Sequence, residues 1–249
     1  MTMRTVTRYL SLGVALALAP GALADLSDIS DVIFRIEASN DSGTGVLEFT
    51  KDQLTYNPST DTYTWNTGTQ FIFDEFFNPI ATLQNANLAL QMNDLKKVAG
   101  AFAVQAGDTD TTFTLTLAQL TFDTLSPPLV MGTAGLAANV TDTNGDGVTM
   151  ASVAAATGVL RTGYNGMVPG GTPFVELLGE LSVPAGSGSL LDYVPYTAIP
   201  DAVDDMNSQI SFTLTAGDLG GGTHYFQLIP EPASLGLLLG GLLMLVRRR

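Results

Sequence analysis

The chain has 249 residues, no cysteine and one histidine, and its 24 acidic residues outnumber 10 basic ones to give a formal net charge of −14. Disulfides are excluded, and with His224 as the sole soft ligand, zinc and iron–sulfur sites are excluded too, while oxygen ligands for hard cations are plentiful. So acidic a surface repels nucleic acid and anionic headgroups, which removes DNA and RNA as partners.

Arg4 and Arg8 precede the apolar run 9–19, and Ala22-Leu23-Ala24 supplies the small-x-small pattern at which a secretory signal peptide is cut. Residues 1–24 are therefore expected to be removed, with Asp25 starting the mature chain. The body, 25–229, holds five basic and twenty-three acidic residues, a net charge of −18. Its length suits one β-rich domain better than two.

Most of the body reads as strands between turn clusters. Residues 112–117, T-F-T-L-T-L, place Phe113, Leu115 and Leu117 on one face, and 210–215 repeat the pattern with Ile210, Phe212 and Leu214. Leu54 and Tyr56, the turn residues 57–61, then Tyr63 and Trp65 predict a hairpin. Further strands are expected at 32–37, 46–50, 71–73, 87–92, 101–105, 136–140, 174–178 and 224–228. Two short helices are expected, over the alanine-rich 148–156 and over 201–208 after Pro200. The Gly/Pro-rich segments 163–173 and 184–200 have the composition of surface loops. The spacing argues for an all-β chain folded as a β-sandwich, for which a jelly roll is one arrangement.

Asp142-Thr143-Asn144-Gly145-Asp146-Gly147 satisfies D-x-N-x-D-G, the first half of a calcium loop. Asp142, Asn144 and Asp146 are the candidate Ca2+ ligands, and Gly147 permits the turn. The ninth and twelfth positions are Met150 and Val153, so a remote carboxylate would have to complete the shell; an Asx-rich turn without an ion is the alternative. Trp65, Tyr63 and Tyr56 form a candidate sugar-stacking platform. Phe71-Ile72-Phe73-Asp74-Glu75-Phe76-Phe77 sets two carboxylates among four phenylalanines and reads as a strand with its corner. Glu176 and Glu180 are the carboxylates a glycosidase would need, although so acidic a chain produces such pairs by chance. No G-x-S-x-G elbow and no dinucleotide or P-loop glycine spacing occurs, and His224 opens a strand without a triad spacing, so no enzyme is expected.

The C-terminus runs Pro230-Glu231-Pro232, then the uncharged apolar residues 233–246, then Arg247, Arg248 and Arg249. As a helix the apolar run would be about 21 Å long against a hydrocarbon core of about 30 Å, short for a permanent transmembrane helix. The arginines belong on the cytoplasmic side and the body outside. The prolines make the tripeptide an extended, exposed hinge. This order resembles the PEP-CTERM sorting signal of Gram-negative bacteria, over residues 230–249 alone. The resemblance implies that an exosortase, a membrane-embedded cysteine transpeptidase, recognises Pro230, Glu231 and Pro232, cuts near them and releases or re-anchors the body at the cell surface. It also implies transient anchoring in the inner membrane and an association with exopolysaccharide. The leading expectation is thus an exported, non-enzymatic surface or matrix protein. The alternative is a carbohydrate-binding module, and a glycoside hydrolase comes third.

Overall fold

The computed structural model describes residues 26–126, 130–153 and 156–230. Its strands in chain order begin with β1 (Val32–Asn40), β2 (Gly43–Thr50), β3 (Thr55–Asn57), β4 (Thr62–Thr67), β5 (Gln70–Phe73) and β6 (Pro79–Gln91). There follow β7 (Lys96–Ala106), β8 (Thr111–Leu117), β9 (Leu120–Leu125), β10 (Val130–Thr141), β11 (Val148–Ser152) and β12 (Leu160–Tyr164). The last are β13 (Thr172–Leu177), β14 (Glu180–Val183), β15 (Ser187–Ala198), β16 (Val203–Leu214) and β17 (Leu219–Pro230). Among the described residues helical structure is confined to two short 3-10 turns, Leu26–Asp28 and Lys51–Gln53.

The strands form an all-β, two-sheet sandwich. The first sheet has the order β13-β12-β16-β8-β1-β2, with β9 and β11 also pairing β16 and β14 pairing β11; the second runs β15-β10-β17-β7-β6-β4-β3, with β5 on β6. The period-two pattern decides which residues meet between the sheets, because successive side chains of a strand point to opposite faces. Phe113, Leu115 and Leu117 of β8 and Ile210, Phe212 and Leu214 of β16 are all buried. The two similar stretches are therefore partners, Phe113 lying opposite Phe212 with ring centroids 5.5 Å apart. Phe212 also meets Phe102 of the opposing sheet at 5.8 Å, and Phe174 stacks on Phe226 at 5.3 Å. Each such side chain contributes about 1.5–3 kcal/mol by leaving water.

The expected hairpin forms as β3 and β4, with Asn57 Oδ1 accepting from the N–H and hydroxyl of Ser59 and Asp61 in the left-handed region at φ 50°. Both expected helices are strands instead. In β11, Val148 and Met150 alternate into the core and the backbone pairs with β14 and β16; ladder partners on both sides outweigh the helix propensity of alanine. Residues 203–208 begin β16, whose Val203 and Met206 are buried. The segment 184–200, expected as a loop, contains the twelve-residue strand β15 along the edge of the second sheet.

No helix of the described residues is long and apolar enough to cross a membrane, so the expectation of a transmembrane helix finds no support there. Residues 1–24, Glu231, Pro232, the apolar run 233–246, and Arg247, Arg248 and Arg249 lie outside the described residues. Pro230, expected in a hinge, is exposed and closes β17 opposite Val130.

Candidate functional site

In β7, β17, β10 and the first part of β15, which lie side by side in the second sheet, the odd-numbered residues point away from the core. The register aligns Ala99, Tyr225, Gly135 and Tyr193 in one row across the four strands. Gly135 has no side chain to fill its place in the row, and Tyr225 leans over it: a Cβ there would meet the ring Cε1 at 2.7 Å. Tyr193, on the edge strand, is 59 % exposed. Further along β15, the hydroxyl of Tyr196 accepts from the side-chain amide of Gln227, which carries the aromatic surface back onto β17.

Six residues along β10 and β17 the character changes from ring to amide. Gln84, Gln105, Asn139 and Thr141 rim a shallow cavity of about 350 Å³ over Ala103 and Leu219. Gln84 Nε2 donates to Gln105 Oε1 at 3.1 Å, and Gln105 Nε2 donates to the Gly217 carbonyl at 3.1 Å, which fixes both amides. Small side chains between the two ends, such as Ala101 and Ala137, keep the floor low. The result is a trough along the strands with aromatic faces at one end and groups that both donate and accept at the other.

The amide end runs directly into the acidic loop, since Thr141 precedes Asp142 and Leu219 follows Asp218. Asp142, Asp146 and Asp218 each bring one carboxylate oxygen within 4.8 Å of the others, a cluster that suits a hard divalent cation. Asp218 is buried, Asp142 half-buried and Asp146 exposed. Asp142 Oδ1 accepts from the backbone N–H of Gly145 at 2.7 Å and of Asn144 at 3.2 Å, and Oδ2 from Gly147 at 3.3 Å. The bond from Gly145, followed by those from Gly147 and Asn144, holds this carboxyl below the usual carboxylate range. Asp218 accepts from Thr143 N at 3.0 Å and from the Thr215 hydroxyl at 2.6 Å.

Asn144, expected as a ligand, is turned to the loop itself: its Nδ2 donates to Ala216 O at 3.1 Å and its Oδ1 accepts from Asp146 N at 3.1 Å. The remote carboxylate that the half-motif required is Asp218, which no local spacing marks. Met150 is a core residue of β11.

The expected aromatic platform does not form at Trp65. Its ring is 5 % exposed, packed against Phe34 and Phe49 at 5.2 and 4.6 Å, with Nε1 donating to Gln53 Oε1 at 3.2 Å. Tyr63 is buried beside it in β4, because both occupy the core-facing positions of that strand. Tyr56 alone stays at the surface, its ring tilted against Tyr63 at 4.8 Å and its hydroxyl donating to Asp61. The accessible tyrosines, Tyr193, Tyr196 and Tyr225, sit elsewhere.

The carboxylates considered for hydrolysis are occupied structurally. Glu176 accepts from the Thr157 hydroxyl and N–H and forms an ion pair with Arg161 at 2.9 Å; these bonds, the Thr157 hydroxyl foremost, keep it below its ordinary range, the wrong direction for a general acid. Glu180 is exposed on β14. Asp74 is held low first by the Asn78 side-chain amide and then by the N–H groups of Asn78 and Phe76, so it caps the turn from which Phe76 and Phe77 project. His224 faces the core, and burial pushes it down to about 4.

No protein-family model and no curated protein matches the chain. Among solved structures it is similar to TmCBM61 in complex with β-1,4-galactotriose, at 15 % identity over 55 % of this chain and 83 % of that one, with a TM-score of 0.27. It is also similar to the family 11 carbohydrate-binding module of the cellulosomal cellulase Lic26A-Cel5E of Clostridium thermocellum, at 10 % identity over 66 % and 95 %, with a TM-score of 0.19. The same family's module in complex with a β-1,3-1,4-mixed-linked tetrasaccharide gives 10 %, 66 %, 97 % and 0.21. Superpositions this loose transfer neither residues nor ligands to this chain.

The leading expectation, a structural surface protein delivered by a sorting signal, is corrected at this point. The finding that overturns it is the second sheet, whose outer face carries a trough with open tyrosines and amides. The alternative reading replaces it.

Proposed function

We propose that this protein is a non-catalytic carbohydrate-binding module that holds a glycan along the outer face of its eight-stranded sheet. The observation that carries the reading is the trough itself, with Tyr193 and Tyr225 flanking Gly135 at one end and the carboxamides of Gln84, Gln105 and Asn139 at the other. Ring faces stack on the apolar faces of sugars, and carboxamides match hydroxyls because both kinds of group donate and accept. The signal-peptide pattern at 1–24 supports a place of action outside the cytoplasm. The test is isothermal titration of the full chain with soluble polysaccharides, alongside Tyr193→Ala and Tyr225→Ala. Saturable binding lost in both variants while their unfolding midpoints stay unchanged supports the reading; equal binding by all three proteins overturns it.

We further propose that the cation suited to Asp142, Asp146 and Asp218 is Ca2+, since the donors are hard oxygens and Ca2+ tolerates irregular loops. A cation that binds only the native state raises the melting temperature with the logarithm of its concentration. The rise is expected for the wild type and absent in Asp142→Asn with Asp218→Asn. Equal melting in calcium and in chelator removes the ion and leaves the turn.

A further inference from the structure

We infer that the trough selects neutral polysaccharides and rejects chains bearing carboxylates or sulfates, an inference that rests on the glycan-binding reading. The strands of the second sheet contain only three charged residues: Lys96, Lys97 and Asp192. Asp192 lies on the side of β15 that faces Leu136, and its Oδ2 accepts from Leu178 N at 2.8 Å. The ammonium of Lys96 donates to the Met92 and Asn93 carbonyls. Lys97 is thus the one charge on the outward face, next to Gln227 and beyond the tyrosine row. From that row to the row of Thr141 and Leu219 the trough spans about 20 Å at ~3.4 Å per residue, without a charge along it.

This neutrality stands out in a body of net charge −18. The other cations of the described body are already engaged: Arg35 with Glu37 and Glu48, Lys51 with Asp31, Arg161 with Glu176. A uronate or sulfate lying between the tyrosine row and the row of Thr141 and Leu219 would give up hydration with no cationic side chain there to meet it, and the field of the whole body would oppose its approach. A neutral chain meets neither cost. Its hydroxyls find the Asn139 carboxamide and the Thr223 hydroxyl, side chains that have no hydrogen-bond partner among the described residues, and its ring faces find Tyr193 and Tyr225.

The test titrates the full chain with four polysaccharides of matched length: a neutral β-glucan, a neutral galactan, polygalacturonate and a sulfated galactan, each at low and high salt. The expected result is saturable binding of at least one neutral chain with an affinity independent of salt, and binding of both anionic chains weaker by about tenfold or more. Thr223→Lys, at an exposed position of the trough, should narrow that gap by strengthening polygalacturonate binding in a salt-sensitive way. Tight, salt-sensitive binding of an anionic chain by the wild type overturns the selectivity while leaving glycan binding in place. Failure of all four to bind overturns the glycan-binding reading itself, and the selectivity with it.

Discussion

The outer faces of the two sheets are built from the same fold pattern and finished differently. On the first sheet, polar groups are spent on one another along and across strands: Arg35 reaches Glu37 on its own strand and Glu48 on the next, Arg161 reaches Glu176, Thr112 meets Thr213 at 3.0 Å and Thr114 meets Ser211 at 3.0 Å. On the second sheet, no ion pair occurs among the described residues; Gln84 pairs with Gln105, Gln227 with Tyr196 and Thr141 with Ser187, but the side chains of Tyr193, Tyr225, Asn139 and Thr223 have no hydrogen-bond partner there. A face whose donors and acceptors are mutually satisfied gains little from a ligand. One that leaves some of its groups to water alone can exchange that water for a ligand of matching chemistry. The difference is why the second sheet, and not the first, is proposed as the binding surface.

The comparison breaks most severely if the shared core fails, since both faces depend on it. Phe212→Ala removes a ring packed between the sheets against Phe102 and Phe113 and should cost roughly 3–5 kcal/mol in urea unfolding, with both faces lost in one transition. Next in size is the buried His224. Its folded value of about 4 lies below the ordinary 6.5, so the unfolded chain takes up the proton first. Stability from this residue is complete above pH 6.5 and is lost as pH falls towards 4, by up to roughly 3 kcal/mol; His224→Leu should flatten that window when unfolding is followed across pH.

A change confined to the second face separates binding from stability. Gly135→Val should displace Tyr225 from above the strand and reduce glycan affinity by tenfold or more, about 1.4 kcal/mol, with a smaller shift in the unfolding midpoint. The smallest effect belongs to the first face. Arg35→Gln breaks two half-exposed ion pairs and should cost about 0.2–1 kcal/mol in the same unfolding measurement, less at high salt, with glycan affinity unaltered.

The period-two alternation of 112–117 and 210–215 made the sandwich legible, because a strand with one wet face writes its burial into its spelling. The alternation of Leu191 and Tyr193 was equally present but lay within a Gly/Pro-rich stretch, so composition masked the edge strand and with it the tyrosines of the trough. Trp65 misled for the opposite reason: aromatic character shows in sequence, whereas which face of β4 is covered depends on strands far away in the chain. Asp142 and Asp146 were visible through their spacing, but Asp218 reaches them only because β10 and β17 pair, which brings Thr141 opposite Leu219.

The edge strand β15 bears Leu191 and Tyr193 on a border of the sheet that no further strand covers in the described structure. Such a border invites a second chain to add itself strand by strand. In β15 the invitation is cut short, because the register shifts opposite Gly132 and Ala134 and Pro195 sits in the irregular stretch with no N–H to offer. Two molecules meeting border to border can zip only as far as Tyr193 and Val194 before the rungs run out. The same proline that interrupts the strand therefore works against crowded copies growing into a ribbon.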